Sequence, residues 1–418
     1  MGLIASLFAM LISPLLFERL AGEGFDIQSK ILSVVRIMIF AIPFTILLNV
    51  TIAIYRGFDL TNVNMYFYNI IRPVSFLGFA SAAVFFNVPL KGIVFADLLS
   101  MVFTFGIMSV YFIIRPPFKT EWKLKFSEPT RKLIRYSFPL LITATLLNLM
   151  TWTDTIMLGY FKSPEVVGVY NAVYPLVGFL TIIINSMGFV YVPVASKLWG
   201  ENRNESISSL YQIMTKWCFM LTFPVFVLMF VYPEFLLTKL YGAEYSGGAP
   251  VLRILALGFI ANSYFGFNYH TIMASGNSDF LMKCSVASAG INVILNFMLI
   301  PEYSMAGAAV ASSISYTAIE VLMTLRTWKK ENMHPFTSMY RKLTFICAFI
   351  VASMLATREA IPLSGEAWEY AAFVLVYFFV IQYANILDKS EVSMIGEIQK
   401  DIRYNLGVRI PNILKIRA

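Results

Sequence analysis

Apolar runs of the length a lipid bilayer requires recur along this chain, and they leave few folds open to it. A helix needs about 20 predominantly apolar residues to cross a hydrocarbon layer ~30 Å thick. Runs of that kind fall at 1–18, 31–55, 65–86, 90–114, 135–161, 166–195, 209–239, 251–274, 281–300, 305–326, 342–357 and 368–387. The pattern predicts an all-α, polytopic membrane protein of about twelve transmembrane helices. No stretch shows the alternation of a β-barrel strand. Several runs are interrupted by Pro or Gly, which membrane helices tolerate where neighbours satisfy the freed backbone groups. Charged residues make up only 13% of the chain and the mean hydropathy is +0.71. Soluble domains average about 25% charged residues, so no soluble domain of useful size is expected.

The chain carries a net charge of +8. Nucleic-acid binding would need a concentrated basic surface. Here the basic residues lie in short loops between apolar runs, and that distribution orients a membrane protein instead. With alternating helices and a cytosolic N-terminus, one side holds Arg19, Lys30, Arg36, Lys91, Lys162, Lys239, Arg253 and Arg358. The rest of the 32 Lys and Arg residues fall on the other side. A bias of about three to one places both termini in the cytoplasm of a multi-pass protein of the cell membrane. The start, "MGLIASLFAMLISPLLFE", lacks a basic n-region and a small-residue cleavage site, so it reads as a helix rather than a signal peptide.

Covalent chemistry finds no support. Cys218, Cys284 and Cys347 are scattered without a CxxC pair, and His270 and His334 have no partner at metal-ligand spacing. Nucleophile-elbow, zinc-protease, P-loop and dinucleotide fingerprints are missing, so the chain is not expected to be an enzyme.

An internal repeat organises the runs. "ILSVVRIMIFAIPFTILLNVTIAIYRG" (31–57) lies over "PVLRILALGFIANSYFGFNYHTIMASG" (250–276) without a gap. Downstream, 87–103 resembles 300–319, each with Pro, then Gly, then a small-residue helix. Two similar bundles form a recurrent transporter plan. The expected divisions are an N-terminal lobe at 1–114, a basic cytoplasmic loop at 115–134 and a C-terminal lobe at 135–327. Two extra helices follow at 328–387, then a cytoplasmic amphipathic tail at 388–418.

Three stretches carry a family resemblance. "DTIMLGYFKSPEVVGVYNAVYPL" (154–176), "YGAEYSGGAPVLRILALG" (241–258) and "INVILNFMLIPEYSMAGAAVASSISY" (291–316) resemble the polysaccharide flippases of the multidrug/oligosaccharidyl-lipid/polysaccharide (MOP) exporter superfamily. The resemblance covers 135–330 well and 1–114 more loosely. It implies a monomeric flippase that carries a polyprenyl-linked oligosaccharide across the membrane by alternating access, with surrounding lipids, glycosyltransferases and a polymerase as its neighbours. It also implies a fold of fourteen helices. Residues 1–18 resemble 218–236, the third helix of the second lobe. The first lobe therefore looks short of its first two helices, and Met1 is expected to be an internal start or the start of a truncated copy. A cation-coupled multidrug antiporter is the alternative function, and a membrane-embedded glycosyl- or acyltransferase a more distant one.

Asp154 is the residue that most needs explaining. It lies seven residues before Phe161, roughly 10 Å inside its helix end at ~1.5 Å per residue. Asn292 and Asn296, one turn apart on a single helix face, and Ser312 on the returning helix fall in the same layer. A hard cation prefers several oxygen ligands including a carboxylate. The resemblance to sodium-binding lipid II flippases implies a site of Asp154, Asn292, Asn296 and Ser312, with the Ala308 carbonyl as a further ligand. Na⁺ or H⁺ is the expected coupling ion, with no other cofactor. Interhelical hydrogen bonding explains the Asn and Ser residues equally well, and a structural pair would explain Asp154. Arg36 and Arg253 suit a pyrophosphate, whose oxygens the guanidinium fork grips in pairs. Snorkelling to the interface explains them just as well. Arg72 and Lys216 are further cavity candidates, and Asp97 is a candidate proton or ion group. Glu320 reads as a helix-end residue facing the inner headgroups.

Overall fold

The structure, a computed structural model, describes residues 25–58, 60, 62–87, 90–117, 128–360 and 366–383. Expectations for residues 1–18 and for the tail lie outside the described residues. Every described element is helical. Among the described residues, nine helices are long and apolar enough to cross a membrane, and one of them is a 54-residue stretch that holds two of the expected runs. The chain divides into two compact units, Met1–Lys125 and Phe126–Ala418.

The first unit contributes α1 (Phe25–Gly57), α2 (Asn62–Phe85) and α3 (Leu90–Ile114). α1 and α2 each pack against α3. Leu48, Ile52 and Tyr55 of α1 meet Val63, Phe67 and Met108 in its core. The Tyr55 hydroxyl donates to the Arg115 carbonyl at 2.7 Å, which ties α1 to the end of α3. α2 widens into a π turn over Met65–Ile71, where the Arg72 N–H reaches back to the Phe67 carbonyl. Pro73 follows at once. Proline has no N–H to give and crowds the carbonyl four residues back, so the wider turn removes that clash.

In the second unit α4 (Glu128–Phe161) begins inside the stretch expected to be loop, so the basic connection is shorter than 115–134. α5 (Pro164–Val177) and α6 (Phe179–Gly200) share one apolar run that divides at Gly178. α7 (Asn204–Val231) and the short α8 (Pro233–Tyr241) come next. α9 (Ala249–Phe265) is the hub, packed against α5, α6, α7 and the hairpin described below. Leu252, Leu255 and Ala256 of α9 join Val173, Val177, Phe223 and Val227 in one continuous core. α12 (Ser338–Ala360) and α13 (Glu366–Tyr383) complete the described chain.

Two breaks shape this unit. The run at 251–274 is not one helix, because Gly266 adopts φ +80° and separates α9 from α10 (Asn268–Ala274). A Cβ at Gly266 would collide with the Thr215 side chain. The second break turns α11 (Ser278–Glu331) into a hairpin at Ser304, whose φ of 53° and ψ of −135° are not helical. Pro301 helps to end the first half, since it cannot continue the hydrogen-bond ladder. At Gly307 the two halves approach so closely that a Cβ would strike the Leu299 carbonyl.

Candidate functional site

The hairpin delivers three of the expected residues to Asp154. Asn292 and Asn296 stand on its first half and Ser312 on its second, while Asp154 comes from α4, which packs along α11. All four are fully buried. Asp154 Oδ1 accepts from the Asn296 amide at 2.6 Å and from the Asn292 amide at 3.3 Å. Oδ2 accepts from the Ser312 hydroxyl and, at 2.7 Å, from the Tyr170 hydroxyl. The Asn292 amide also donates to Ser312 Oγ at 3.1 Å, and Asn296 donates to Asn292 Oδ1 at 3.2 Å. Ala308 lies one turn before Ser312 and is fully buried.

The charge balance of this cluster matters more than its contact list. Hydrogen bonds to an ionised group contribute about 1.5–3 kcal/mol each, and an uncompensated carboxylate at the centre of a membrane helix costs ~2.5–3.5 kcal/mol. Four donors are enough to hold an ionised Asp154 in place. All four are uncharged, so they solvate the carboxylate without neutralising it. One acceptor, Asn296 Oδ1, is buried and has no hydrogen-bond partner. An unneutralised carboxylate beside an orphaned amide oxygen fits a small monovalent cation or a proton.

Tyr170 escaped the sequence reading. It sits on α5 within one of the quoted stretches and is fully buried. An aromatic in an apolar run reads as packing, and only the rotation of α5 against α4 turns its hydroxyl toward Asp154.

The other expected residues are not gathered into this cluster. Arg253 is tied to Glu234 at 2.9 Å, and its Nε donates to the Phe230 carbonyl at 3.1 Å. Those bonds fix α9 to α8 and the end of α7. Arg36 is exposed on α1, and Lys216 is buried on α7. Arg72 and Asp97 do meet, 3.9 Å apart, with Arg72 also lying over the Tyr68 ring. They line a pocket of about 420 Å³ in the first unit together with Asn69, Pro73 and Phe76. Glu320 corrects the expectation of a helix-end position. It lies mid-helix in the second half of α11 and is only 5% exposed. α9 covers it, and Asn262 of that helix donates to Glu320 Oε1 at 2.7 Å.

Broken helices and a buried ionisable cluster in a multi-pass helical protein are features that transporters share. Comparison with known proteins agrees. The MatE family model matches residues 139–298, and the model described as "Polysaccharide biosynthesis protein" matches residues 1–199. The probable low-salt glycan biosynthesis flippase Agl15 of Haloferax volcanii is 23% identical over 61% of this chain and 52% of that one. The capsular polysaccharide biosynthesis protein CapF of Staphylococcus aureus is 25% identical over 62% of this chain and 65% of that one. Among solved structures, the outward-facing form of a multidrug resistance MATE family transporter aligns with a TM-score of 0.66 and 14% identity. That match covers 79% of this chain and 76% of that one. This chain is therefore similar both to polysaccharide-biosynthesis proteins and to MATE-type proteins, the latter placed in the MOP superfamily. It spans about half to two thirds of the length of the two curated relatives named here.

Proposed function

We propose that this protein is a flippase that moves a polyprenyl-linked oligosaccharide across the cell membrane for surface glycan synthesis. The protein works as a transporter, with no covalent chemistry of its own. The reading is supported by the glycan-flippase and capsule-synthesis relatives, and by a site built for an ion rather than for bond making. The observation that carries it is Asp154, a fully buried carboxylate whose partners solvate but do not neutralise it. An ionisable residue at membrane depth characteristically marks an ion or proton path. Asp154, Asn292, Asn296 and Ser312, with the Ala308 carbonyl, would hold the coupling cation, Na⁺ or H⁺, whose charge cancels that of the carboxylate. On this reading the Ser304 turn of the hairpin faces outward, and Lys329 faces the cytosol with both termini. The 1–114 and 135–327 segments act as the two lobes, and Arg72 and Asp97 line the substrate path.

The test is reconstitution in vesicles that contain a polyprenyl-pyrophosphate oligosaccharide. Wild type should speed the appearance of the sugar on the far leaflet, and Asp154→Asn should abolish this while still folding. Sodium, but not potassium, should raise the thermal midpoint of wild type and leave Asp154→Asn unmoved. Transport of cationic drugs with no effect on the lipid-linked sugar would favour the antiporter reading, which the MatE match and the MATE structure support. Outside labelling of Lys329→Cys in a background lacking the three buried cysteines would overturn the orientation.

A further inference from the structure

The second half of α11 carries another acid that the Asp154 cluster does not use. Glu320 lies about two turns beyond Ser312, roughly 12 Å along the helix at ~1.5 Å per residue. Its surroundings come from α7, α9 and α10, and they centre on the break at Gly266. That break is already capped without it. The Phe265 carbonyl accepts from the Asn268 amide at 3.0 Å and from the Tyr211 hydroxyl at 3.1 Å. The Phe267 N–H donates to Thr215 Oγ1 at 3.4 Å, and Asn268 also binds Thr324 Oγ1 at 2.8 Å. Those bonds complete the cap, and Asn268, which makes two of them, also lies within reach of the Glu320 carboxylate.

The pattern of unused atoms accounts for a carboxylate at position 320. Glu320 Oε1 accepts from Asn262 Nδ2. The two atoms left buried without a partner are the other oxygen of each group, Glu320 Oε2 and Asn262 Oδ1. Both unpartnered atoms are acceptors on groups already joined by one hydrogen bond, so the pair as a whole lacks a donor hydrogen. Adding a proton to Oε2 turns Glu320 into a donor toward Oδ1. The pair then closes as an acid–amide ring with two parallel hydrogen bonds. A metal cation fits less well, because it wants several free oxygens and the hydroxyls nearby are committed.

We propose that Glu320 and Asn262 form a proton-binding site, separate from the Asp154 cluster, that is loaded and emptied during the transport cycle. Loading forms an O–H bond at Oε2 and brings the carboxylate charge from −1 to zero, and unloading returns the proton to water. Titratable groups within electrostatic reach are Tyr211 and Cys218 of α7 and Cys284 from the first half of α11. The Tyr211 phenol is held as a donor to Asn268 Oδ1 at 2.6 Å. Of the charged groups on the packed elements, Lys216 of α7 is buried, Arg326 of α11 itself lies over the Phe280 ring, and Arg253 of α9 is held by Glu234. His270 of α10 turns its ring toward Gly188 on α6.

The experiment uses infrared pH-difference spectra of the purified full chain from mildly acidic to mildly alkaline pH. A protonated-carboxyl band that grows with acidity and is lost in Glu320→Gln is the expected result. Absence of that band, or a band that ignores pH, overturns the proposal and leaves Glu320 as fixed interhelical glue. Should Glu320→Gln fail to fold, Glu320→Asp keeps the acid but withdraws it from the amide, so its band should move to higher frequency. An unmoved band overturns the pairing with Asn262. The transport arm rests on the flippase reading. Glu320→Gln mimics the loaded state permanently and should slow flipping by about tenfold, within the roughly 5- to 150-fold span of lost coupling. Wild-type transport that fails altogether removes the flippase reading while the infrared result stands.

Discussion

Two buried acids in one helical unit have been solvated in opposite ways. Asp154 is surrounded by donors from three helical elements, two for each carboxylate oxygen. Glu320 receives one hydrogen bond, from Asn262, and its second oxygen is left bare. Both are removed from solvent, so burial alone does not distinguish them. The number of donors does. A carboxylate with a full set of donors is at home as an anion. A carboxylate with half a set is better satisfied when it becomes an acid itself. The proposed roles differ accordingly, a coupling ion at Asp154 and a proton at Glu320.

The largest expected effect tests that contrast directly. Asp154→Leu orphans four donors, and each buried unsatisfied group costs about 1–3 kcal/mol. Glu320→Leu orphans one. Thermal unfolding in detergent should therefore show Asp154→Leu as severely destabilised, or not recoverable, and Glu320→Leu as tolerated. Equal losses would break the comparison. Next comes Gly307→Leu, which wedges the hairpin open beside the cluster. It should cost about 3 kcal/mol by overpacking and weaken any sodium-dependent stabilisation. Tyr170→Phe removes one donor from Asp154 and should cost about 1.5 kcal/mol, the low end for a bond to a charged group. A silent Tyr170→Phe would mean that three donors are enough. The smallest effect belongs to Arg253→Ala, whose partly exposed pair with Glu234 should contribute below about 1 kcal/mol. A loss of flipping at unchanged stability would return Arg253 to the substrate path.

Much of this architecture is legible in the sequence. Helix existence followed from run length, because the bilayer fixes how long an apolar segment must be. The meeting of Asp154 with Asn292, Asn296 and Ser312 was legible too. The last three share a hairpin, and counting from its turn places them in one layer. Tyr170 was not legible, since its hydroxyl matters only through the rotation of α5, which sequence spacing does not report. Glu320 was misplaced for a related reason. Its nearness to the end of the 305–326 run suggested an interface, but α9 packs over it. The break at Gly266 was hidden inside an uninterrupted apolar run, where one glycine is a weak signal without the Thr215 contact.

The sequence distance between Asp154 and its partners sets an order of events during synthesis. Tyr170 follows Asp154 by 16 residues, whereas Asn292 follows it by 138. At elongation rates of about 5–20 residues per second, Tyr170 emerges from the ribosome within roughly 1–3 s and Asn292 only after about 7–28 s. For that interval the nascent α4–α5 pair holds the acid with a single chaperoning hydroxyl. The hairpin then delivers Asn292, Asn296 and Ser312 almost together, so the cluster closes in one late step.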